Sequence, residues 1–447
     1  MFVCWYACVC VRVRVRAEAG VDQTCPLSPL LFSLGLAEAL REIAVRLQAL
    51  DAGAKLFAYL DDVVVVVPAT VRGEAAKVVE QVLKDYGLVV NDKTKAWTRN
   101  PNTPLPAALA ARRVASLSLL GASVAWLDRE AGELHAPLHA QSDGQDVLDR
   151  AQRLTQRLTL LRTAGLSAKA TFLILQTFGQ SCVNHLQRAN YEDGQWVGHL
   201  EGVLFQGLES LVDHAASAQL RQLASLRLKD GGLAFGGIRR RSASAFLASW
   251  AFCFKEVAGV VGVSTLQGFR SRCPGVAGVL DVAETTLRTQ GGNRGRALPW
   301  EDYLAEPAEK LQASFAAEIS ETLKESLLNG LGDEDAADLH SNGGTGAGGF
   351  LLPPAEGVMV LPDDHFTLAL RDRLLLPICP EGACCKHTRR NDGRICGAPL
   401  DRRGKHARMC AIGGGVMARH NRIRDWIGPT YTQCSGLPAS MEQRVPH

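Results

Sequence analysis

Two adjacent aspartates, Asp61 and Asp62, interrupt an apolar stretch that runs from Phe57 to Pro68. Carboxylates are poor strand formers, whereas the five valines that follow them are good ones. The pattern therefore predicts two short β-strands that pivot on the aspartates as a hairpin. Amphipathic helical patterns flank this hairpin, from Ser28 to about Ala49 and over residues 72–86, so the predicted fold class of the region is α+β.

The aspartate pair also has a chemical interpretation. Two carboxylates at a hairpin tip supply the hard oxygen ligands that Mg²⁺ prefers. A two-ion site of this kind can activate a 3′-hydroxyl for attack and stabilise a leaving pyrophosphate. Aspartates are equally common in simple turns, so the pair alone is a weak signal.

Three further blocks strengthen the signal. Residues 20–32 read GVDQTCPLSPLLF, residues 87–95 read GLVVNDKTK, and residues 119–121 read LLG. Together with the tetrad Tyr59-Leu60-Asp61-Asp62, these blocks resemble, in order and spacing, the reverse transcriptases of non-LTR retrotransposons. Thr24 stands where that family usually has glycine.

The resemblance implies a role for individual residues. It assigns Asp61 and Asp62 to Mg²⁺ binding and catalysis, assigns Lys93 to the triphosphate or primer end, and places Gln23, Ser28, Pro29 and Tyr59 beside template and nucleotide. Simpler interpretations remain open: Lys93 as a solvated loop lysine, Gln23 as a turn residue, and Tyr59 as core packing. The implied partners are an RNA template, target DNA and deoxynucleoside triphosphates.

The same resemblance exposes a departure from the family. Its members carry a further metal-binding aspartate on a strand well upstream of the first block, together with the fingers, and this sequence contains neither. Asp22 lies inside the later block and cannot replace that aspartate. A metal site that lacks one carboxylate should fail, so we expect the polypeptide by itself to be inactive.

The middle of the chain has mainly helical spacing. Within it, residues 226–233 read LRLKDGGL and precede Arg239, Arg240 and Arg241, a combination similar to a segment found after the thumb in the same elements. We predict a glycine turn between packed helices there, with the three arginines as a possible contact to the nucleic-acid backbone. Residues 341–349, SNGGTGAGG, have the composition of a linker.

Cysteine and histidine residues cluster near the end of the chain. Cys385, Cys396, His406 and Cys410 could close a tetrahedral zinc site, with Cys379, Cys384 and His387 as rivals for the first position. Separate buried thiols are the alternative. The segment resembles the zinc knuckle that precedes the restriction-like endonuclease of site-specific non-LTR elements. The nuclease carboxylates of that family lie downstream of the knuckle, so no nuclease activity is predicted.

Positive charge is concentrated in the same part of the chain. The net charge is only +3, but eleven Lys or Arg and two Asp between Lys386 and Arg424 give a local charge of +9. Such a stretch favours contact with phosphates. The predicted nucleic-acid-binding residues are Arg239, Arg240, Arg241, Arg402, Arg403, Lys405, Arg419 and Arg422.

The thirteen cysteines are too irregularly placed for a disulfide framework, which favours a reducing compartment, nuclear or cytoplasmic. Neither a signal peptide nor a transmembrane helix is predicted, so we expect no secretion and no membrane partner.

The predicted organisation is a low-complexity segment (1–19), a partial polymerase palm (20–126), a helical thumb and connecting region (127–340), a Gly-rich linker and connector (341–370), and a zinc knuckle with the start of an endonuclease-like region (371–447).

Overall fold

A computed structural model describes most of the chain. The described residues are 2–8, 28–59, 62–88, 90, 94–98, 102–114, 117–119, 122–123, 126–127, 134–135, 140–191, 195–291, 300–304, 309–353, 361–389, 391–412, 417, 420–421, 423–425, 427 and 432. Separate apolar cores lie under an N-terminal sheet and within a helical region, so the α+β fold class is confirmed.

The N-terminal unit is built on a four-stranded antiparallel sheet. Its spatial order is β2-β3-β1-β4, with β1 at Phe2–Cys8, β2 at Lys55–Tyr59, β3 at Asp62–Pro68 and β4 at Lys95–Thr98. The hairpin predicted around the aspartates is confirmed as β2 and β3. In β3, alternate valines are buried against two helices, α1 (Ser28–Leu50) and α2 (Arg72–Asp85).

The N-terminal segment differs from its prediction. Within the segment predicted as low-complexity sequence (1–19), residues 2–8 form β1, which lies between β3 and β4 in the sheet, whereas residues 9–19 lie outside the described residues. Its apolar residues pair along the full length of β3, from Phe2 opposite Pro68 to Cys8 opposite Asp62. The pairing partner lies about sixty residues away in sequence, so local composition did not reveal it.

Smaller elements follow the sheet. They are a short helix α3 at Ala107–Ala110, a hairpin of β5 (Ser118–Leu119) with β6 (Ala122–Ser123), and a second hairpin of β7 (Trp126–Leu127) with β8 (Leu134–His135).

The rest of the described chain is helical, as predicted. The helices are α4 (Ala140–Thr163), α5 (Ala168–Ile174), a π-helical segment (Leu175–Gly179), α6 (Asn184–Ala189), α7 (Gln195–Val212), α8 (Ala218–Ser225), α9 (Ile238–Val261), α10 (Leu266–Arg272), α11 (Pro274–Gly291), α12 (Leu311–Gly330), α13 (Asp333–Asn342), α14 (Asp363–Arg373) and α15 (Lys405–Met409), with 3₁₀ turns at Leu228–Asp230, Trp300–Tyr303 and Gly349–Leu351.

Aromatic side chains hold the centre of this helical region. Phe235 lies edge-on to Phe205, with ring centroids 5.4 Å apart, and 6.1 Å from Phe172. Phe366 of α14 also lies 6.1 Å from Phe172. Because α14 follows the predicted linker, the segments on both sides of that linker share one core.

Residues 341–370 are therefore not a linker where the structure describes them. Leu351 is buried in the shared core, and a Cβ atom added to Gly343 would lie 2.8 Å from the carbonyl oxygen of Lys229. At Gly348 the same atom would lie 3.4 Å from the Arg373 guanidinium. The glycines permit close approach of backbone to neighbouring groups, a use that composition does not distinguish from flexibility.

The glycine turn predicted within residues 226–233 is confirmed. Gly231 has φ +99°, and a Cβ atom on Gly232 would lie 2.3 Å from the carbonyl oxygen of Leu226. Two glutamines fasten the chain beyond the turn, because the side-chain amides of Gln176 and Gln180 donate to the carbonyls of residues 233 and 234 at 2.7 and 3.0 Å. The turn is a packed junction between helices.

Asp230 anchors this junction electrostatically. Its carboxylate accepts hydrogen bonds from the Ser320 hydroxyl, at 2.7 Å, and from the Arg227 guanidinium. Burial disfavours the charged carboxylate, but these hydrogen bonds outweigh burial and hold the pKa of Asp230 below its usual range.

We expect Asp230→Asn to lower the free energy of unfolding by about 2–3 kcal/mol at pH 7, because it removes the charge that Arg227 and Ser320 bind. The folded-state pKa lies below that of the unfolded chain, so this stabilisation is complete above about pH 4 and is lost as the pH falls through the folded-state pKa. Urea titrations at pH 7 and pH 3 measure the difference. Asp146→Asn, at an exposed helical position, is the control; an equal loss at both pH values would contradict the prediction.

One helix among the described residues, α9, is long and apolar enough to cross a membrane by length and composition. It packs against α6, α11 and α12, and Leu247 and Ala251 are buried in a core with Phe315. A helix at the centre of a bundle has the same apolar composition, so this finding is weak support for a membrane span.

Candidate functional site

The predicted catalytic hairpin places Asp62 at the end of the sheet. Asp62 is the first residue of β3, in register with Tyr59 of β2 on one side and Cys8 of β1 on the other. Backbone pairing on both sides therefore fixes its position. Its side chain is half-buried, whereas Leu60 and Asp61 lie outside the described residues.

Only some of the other predicted polymerase residues belong to the described part of the chain. Ser28 and Pro29 begin α1, the helix that packs on the sheet, whereas Gln23 and Lys93 lie outside the described residues. Asp62 supplies one carboxylate of the kind that Mg²⁺ binds. No other carboxylate lies on a strand in the part of the chain that the structure describes.

The four predicted zinc ligands come together. The ligand atoms of Cys385, Cys396, His406 and Cys410 all lie within 4.8 Å of one another. The first two lie on the arms of a hairpin over residues 383–400, in which the Cys385 amide donates to the carbonyl of Ala398 at 2.8 Å and the Gly397 amide to that of Cys385 at 3.0 Å. His406 lies on α15, and Cys410 follows that helix directly.

This donor set fits a structural zinc ion. Three sulfurs and one imidazole nitrogen form a common tetrahedral set, whose ligand atoms around zinc lie roughly 3.3–3.8 Å apart. The Cys396 sulfur is already 3.4 Å from His406 Nε2, and Cys385 and Cys410 are only 2% and 4% exposed. Of the rivals, Cys384 is exposed and lies outside the cluster.

The thiols of the cluster differ in the direction in which the protein shifts their pKa values. Burial raises the pKa of Cys410, but the backbone N–H of Ile412, the His387 ring and the neighbouring thiols more than offset it and lower the pKa to about 6. For Cys385, the backbone hydrogen bond from His387 favours the thiolate, yet burial and the adjacent thiols raise the pKa. The cluster thus contains one readily formed thiolate, the species that binds metal.

Asp401 fixes the orientation of α15. Its carboxylate accepts hydrogen bonds from the backbone N–H groups of Arg403, Lys405 and His406, at 2.9, 3.0 and 2.9 Å. Burial opposes the charge, but these three donors hold the pKa of Asp401 below its usual range. Asp401, three residues before the N-cap Gly404, therefore holds the first turn of α15 and positions His406 in the cluster.

Several predicted nucleic-acid contacts have structural roles instead. The Arg403 side chain is 11% exposed and lies 3.0 Å from Asp372, 3.3 Å from Asp338 and 3.6 Å from Asp335. Lys405 lies 3.1 Å from Glu334. These ion pairs fasten the Cys/His module (residues 383–410) to α13 and α14, so in this arrangement both side chains lie against carboxylates, and their contact with phosphates stays a prediction.

The three consecutive arginines Arg239, Arg240 and Arg241 also differ in exposure. Arg241 is half-buried, donates to the Gly236 carbonyl and the Gln180 side chain at 3.0 Å, and has its pKa lowered by burial. Arg240 is half-buried beside Ser225, and only Arg239 is exposed. The guanidinium of Arg241, which the sequence suggested for nucleic-acid binding, therefore stabilises the junction that contains the glycine turn.

Other cations of the module remain exposed. Arg402 is exposed, as are Lys386, Arg389 and Arg394 on the hairpin, which the prediction omitted. Their position between Cys385 and Cys396 could have identified them, because residues between two metal ligands of a hairpin are commonly exposed. Arg419 and Arg422 lie outside the described residues.

Comparisons with known proteins bear on the N-terminal unit. Residues 9–124, about a quarter of the chain, match the family described as reverse transcriptase (RNA-dependent DNA polymerase). The matched segment contains α1, α2 and the hairpin that carries Asp62. A search of curated proteins finds no match to the chain.

Proposed function

Because residues 9–124 carry a reverse transcriptase domain, we propose that the chain is the polymerase region of a non-LTR retrotransposon that copies its RNA onto a primer in target DNA. The observation that carries the proposal is Asp62 held at the open end of the sheet within this domain. The blocks around residues 20–32, 87–95 and 119–121 support the non-LTR type.

In this proposal the protein positions the reacting groups. Asp61 and Asp62 would hold Mg²⁺, which lowers the barrier to nucleotidyl transfer by activating the primer hydroxyl and neutralising pyrophosphate. The paired strands β2 and β3 fix the backbone of Asp62, while Tyr59 lies opposite it on the adjacent strand. Ser28 and Pro29, at the start of α1, would contact the template side, and Lys93 the triphosphate.

The test is primer extension on an RNA template with Mg²⁺, comparing the chain with Asp62→Asn; extension by the unmodified chain would overturn the expectation that the polypeptide is inactive by itself. Loss of a metal-binding carboxylate should reduce extension at least about a hundredfold, because the developing charge is no longer stabilised. Asp85→Asn is the matched control, since Asp85 is an exposed residue of α2 whose carboxylate accepts a hydrogen bond from the Gln81 side chain at 2.7 Å. Extension that survives Asp62→Asn would refute the assigned site.

A second candidate function is a zinc- and nucleic-acid-binding protein without catalysis. It is favoured by the observation that Asp62 is the only carboxylate on the described strands. Absence of extension by the unmodified chain, with nucleic-acid binding equal in the chain and in Asp62→Asn, would select this alternative.

We also propose that the Cys/His module binds Zn²⁺ and that its exposed hairpin contacts nucleic-acid phosphates. The contacts would come from Lys386, Arg394 and Arg402, which are exposed, whereas Arg403 and Lys405 form the ion pairs that hold the module to α13. A nuclear or cytoplasmic location agrees with this proposal, because the cysteines whose side chains are described are all free thiols.

A further inference from the structure

One long segment of the helical region contains no acidic residue. From Arg150 to Tyr191 the sequence has six Lys or Arg and no Asp or Glu. In a chain with nearly balanced charge, this segment creates a local positive potential. It comprises most of α4, then α5, the π-helical segment and α6.

Half of these cations are paired with another side chain or buried. Arg162 is paired with Asp363, Arg188 donates to the Gln312 side chain at 2.9 Å, and Lys169 is largely buried. The other three cations are the exposed residues Arg150, Arg153 and Arg157 of α4. Their spacing of three and four residues places them about 4.5 and 6 Å apart along the helix axis.

An exposed aromatic ring lies on the neighbouring element. Phe178 is 64% exposed within the π-helical segment, followed along the same surface by Ser181 and His185, which are also exposed. The adjacent Gln176 and Gln180 are tied to the backbone after the glycine turn, so the ring projects from a fixed support. π-Helical turns are rare and occur frequently at functional sites.

The helix that carries the arginines packs against the π-helical segment that carries the ring. A Cβ atom added to Gly179 would lie 3.8 Å from the Leu154 side chain of α4. Burial raises the pKa of the Cys182 thiol, and the charge of Arg150 opposes that rise, which also places Arg150 beside this segment. Both α4 and α6 pack against β6, at the end of the reverse transcriptase domain, so the surface is continuous with that domain.

We propose that this surface, formed by Arg150, Arg153, Arg157, Phe178 and His185, binds unpaired nucleotides of a single-stranded nucleic acid. Phe178 stacks on a base, and the arginines contact successive phosphates. A ring that projects from the surface needs an unstacked base, which favours a single strand over a duplex. The inference rests on the proposed function, because that function makes nucleic acid the ligand, but it concerns a different surface from Asp62.

The experiment uses the full chain and fluorescein-labelled 20-nucleotide strands of RNA and of DNA, with an abasic strand of equal length as a probe that cannot stack. Phe178→Ala should weaken binding to both ordinary strands about tenfold, since stacking on an aromatic side chain contributes about that much per base. It should leave binding to the abasic strand unchanged. Phe178→Trp should bind normally, and Phe252→Ala, at a ring that is 51% exposed on α9, is the control.

The arginines are tested by salt dependence. Arg153→Gln with Arg157→Gln should reduce the slope of log affinity against log salt by about 1.4, because two phosphate contacts to a single strand are lost. Lys255→Gln with Arg272→Gln removes the same charge from exposed positions on α9 and α10 and should leave the slope unchanged. Stronger weakening by Phe178→Ala on RNA than on DNA would identify the RNA strand as the ligand.

Three results of the binding measurements would overturn the proposal. They are normal binding by Phe178→Ala, equal weakening on the abasic strand, and competition by an acidic peptide as strong as that by the nucleic acid. Photo-crosslinking of a 5-iodouracil strand should label the peptide with Phe178, and labelling confined to residues 386–396 would contradict it. Asp62-dependent extension is measured separately, so failure of this surface leaves the polymerase proposal standing.

Discussion

Replacing Cys410 by serine is expected to abolish stoichiometric zinc binding and to unfold the module over residues 383–410. The module consists of one hairpin and a five-residue helix, so its apolar core is small. Structural zinc sites supply an apparent binding free energy of about 10–16 kcal/mol at pH 7, and in such small modules this is folding free energy. Elemental analysis should find one zinc ion per unmodified chain and none in the variant.

The matched control is Cys384→Ser, because Cys384 is exposed and outside the cluster. Loss of the module should also release the acidic side of α13, since Arg403 and Lys405 would no longer pair with Asp338 and Glu334. Hydrogen exchange should therefore rise in α13 as well as in the module. A metal-free chain with native exchange in residues 383–410, or a zinc ion retained by Cys410→Ser, would refute the metal centre.

Arg373→Met is expected to lower the free energy of unfolding of the helical region by about 4 kcal/mol. Arg373 is 2% exposed, and its guanidinium donates to the carbonyls of Leu228, Gly232 and Asn342 at 2.6, 2.8 and 2.8 Å. It thereby joins the glycine turn, the end of α13 and α14. Methionine fills a similar volume but leaves three carbonyls without this donor, each at a cost of about 1–3 kcal/mol.

Burial lowers the pKa of Arg373 to about 10, so the side chain remains charged at neutral pH and carbonyl dipoles alone stabilise its charge. Arg373→Lys keeps the charge but not the planar arrangement of donors, and we expect an intermediate loss. Arg371→Met is the control, because the Arg371 side chain is less buried and donates to the Pro377 carbonyl at 2.9 Å. Denaturant titration measures all three variants, and equal stability of Arg373→Met and Arg371→Met would contradict the structural role.

Local chemistry was sufficient to predict the hairpin and the Cys/His cluster. The β2-β3 hairpin was predictable because carboxylates interrupt two runs of strand-forming residues. The cluster of Cys385, Cys396, His406 and Cys410 was predictable because few other residue types bind zinc. The helices α1 and α2 followed from their periodicity within one or two residues of the observed ends.

Charge was harder to interpret from sequence. Arg403 and Arg241 read as cations available to phosphate, yet both are held by partners distant in the chain, Asp338 and Gln180. A sequence records that a charge is present but not which carboxylate or carbonyl folding brings to it. The acid-free segment from Arg150 to Tyr191 became interpretable only when the structure separated the cations that are paired or buried from the exposed Arg150, Arg153 and Arg157.

The sequence by itself determined the aspartate hairpin, the zinc-type donor set and the α+β class, because each depends on residues close together in the chain or on chemistry that few side chains possess. Only the tertiary structure decided that β1 lies beside Asp62, that the glycines of residues 341–349 are packed, and that Arg403 and Arg373 are internal anchors. Those features depend on contacts between distant segments of the chain. The free energy of such contacts comes from burial of apolar groups, and local sequence patterns do not show which segments will be buried together.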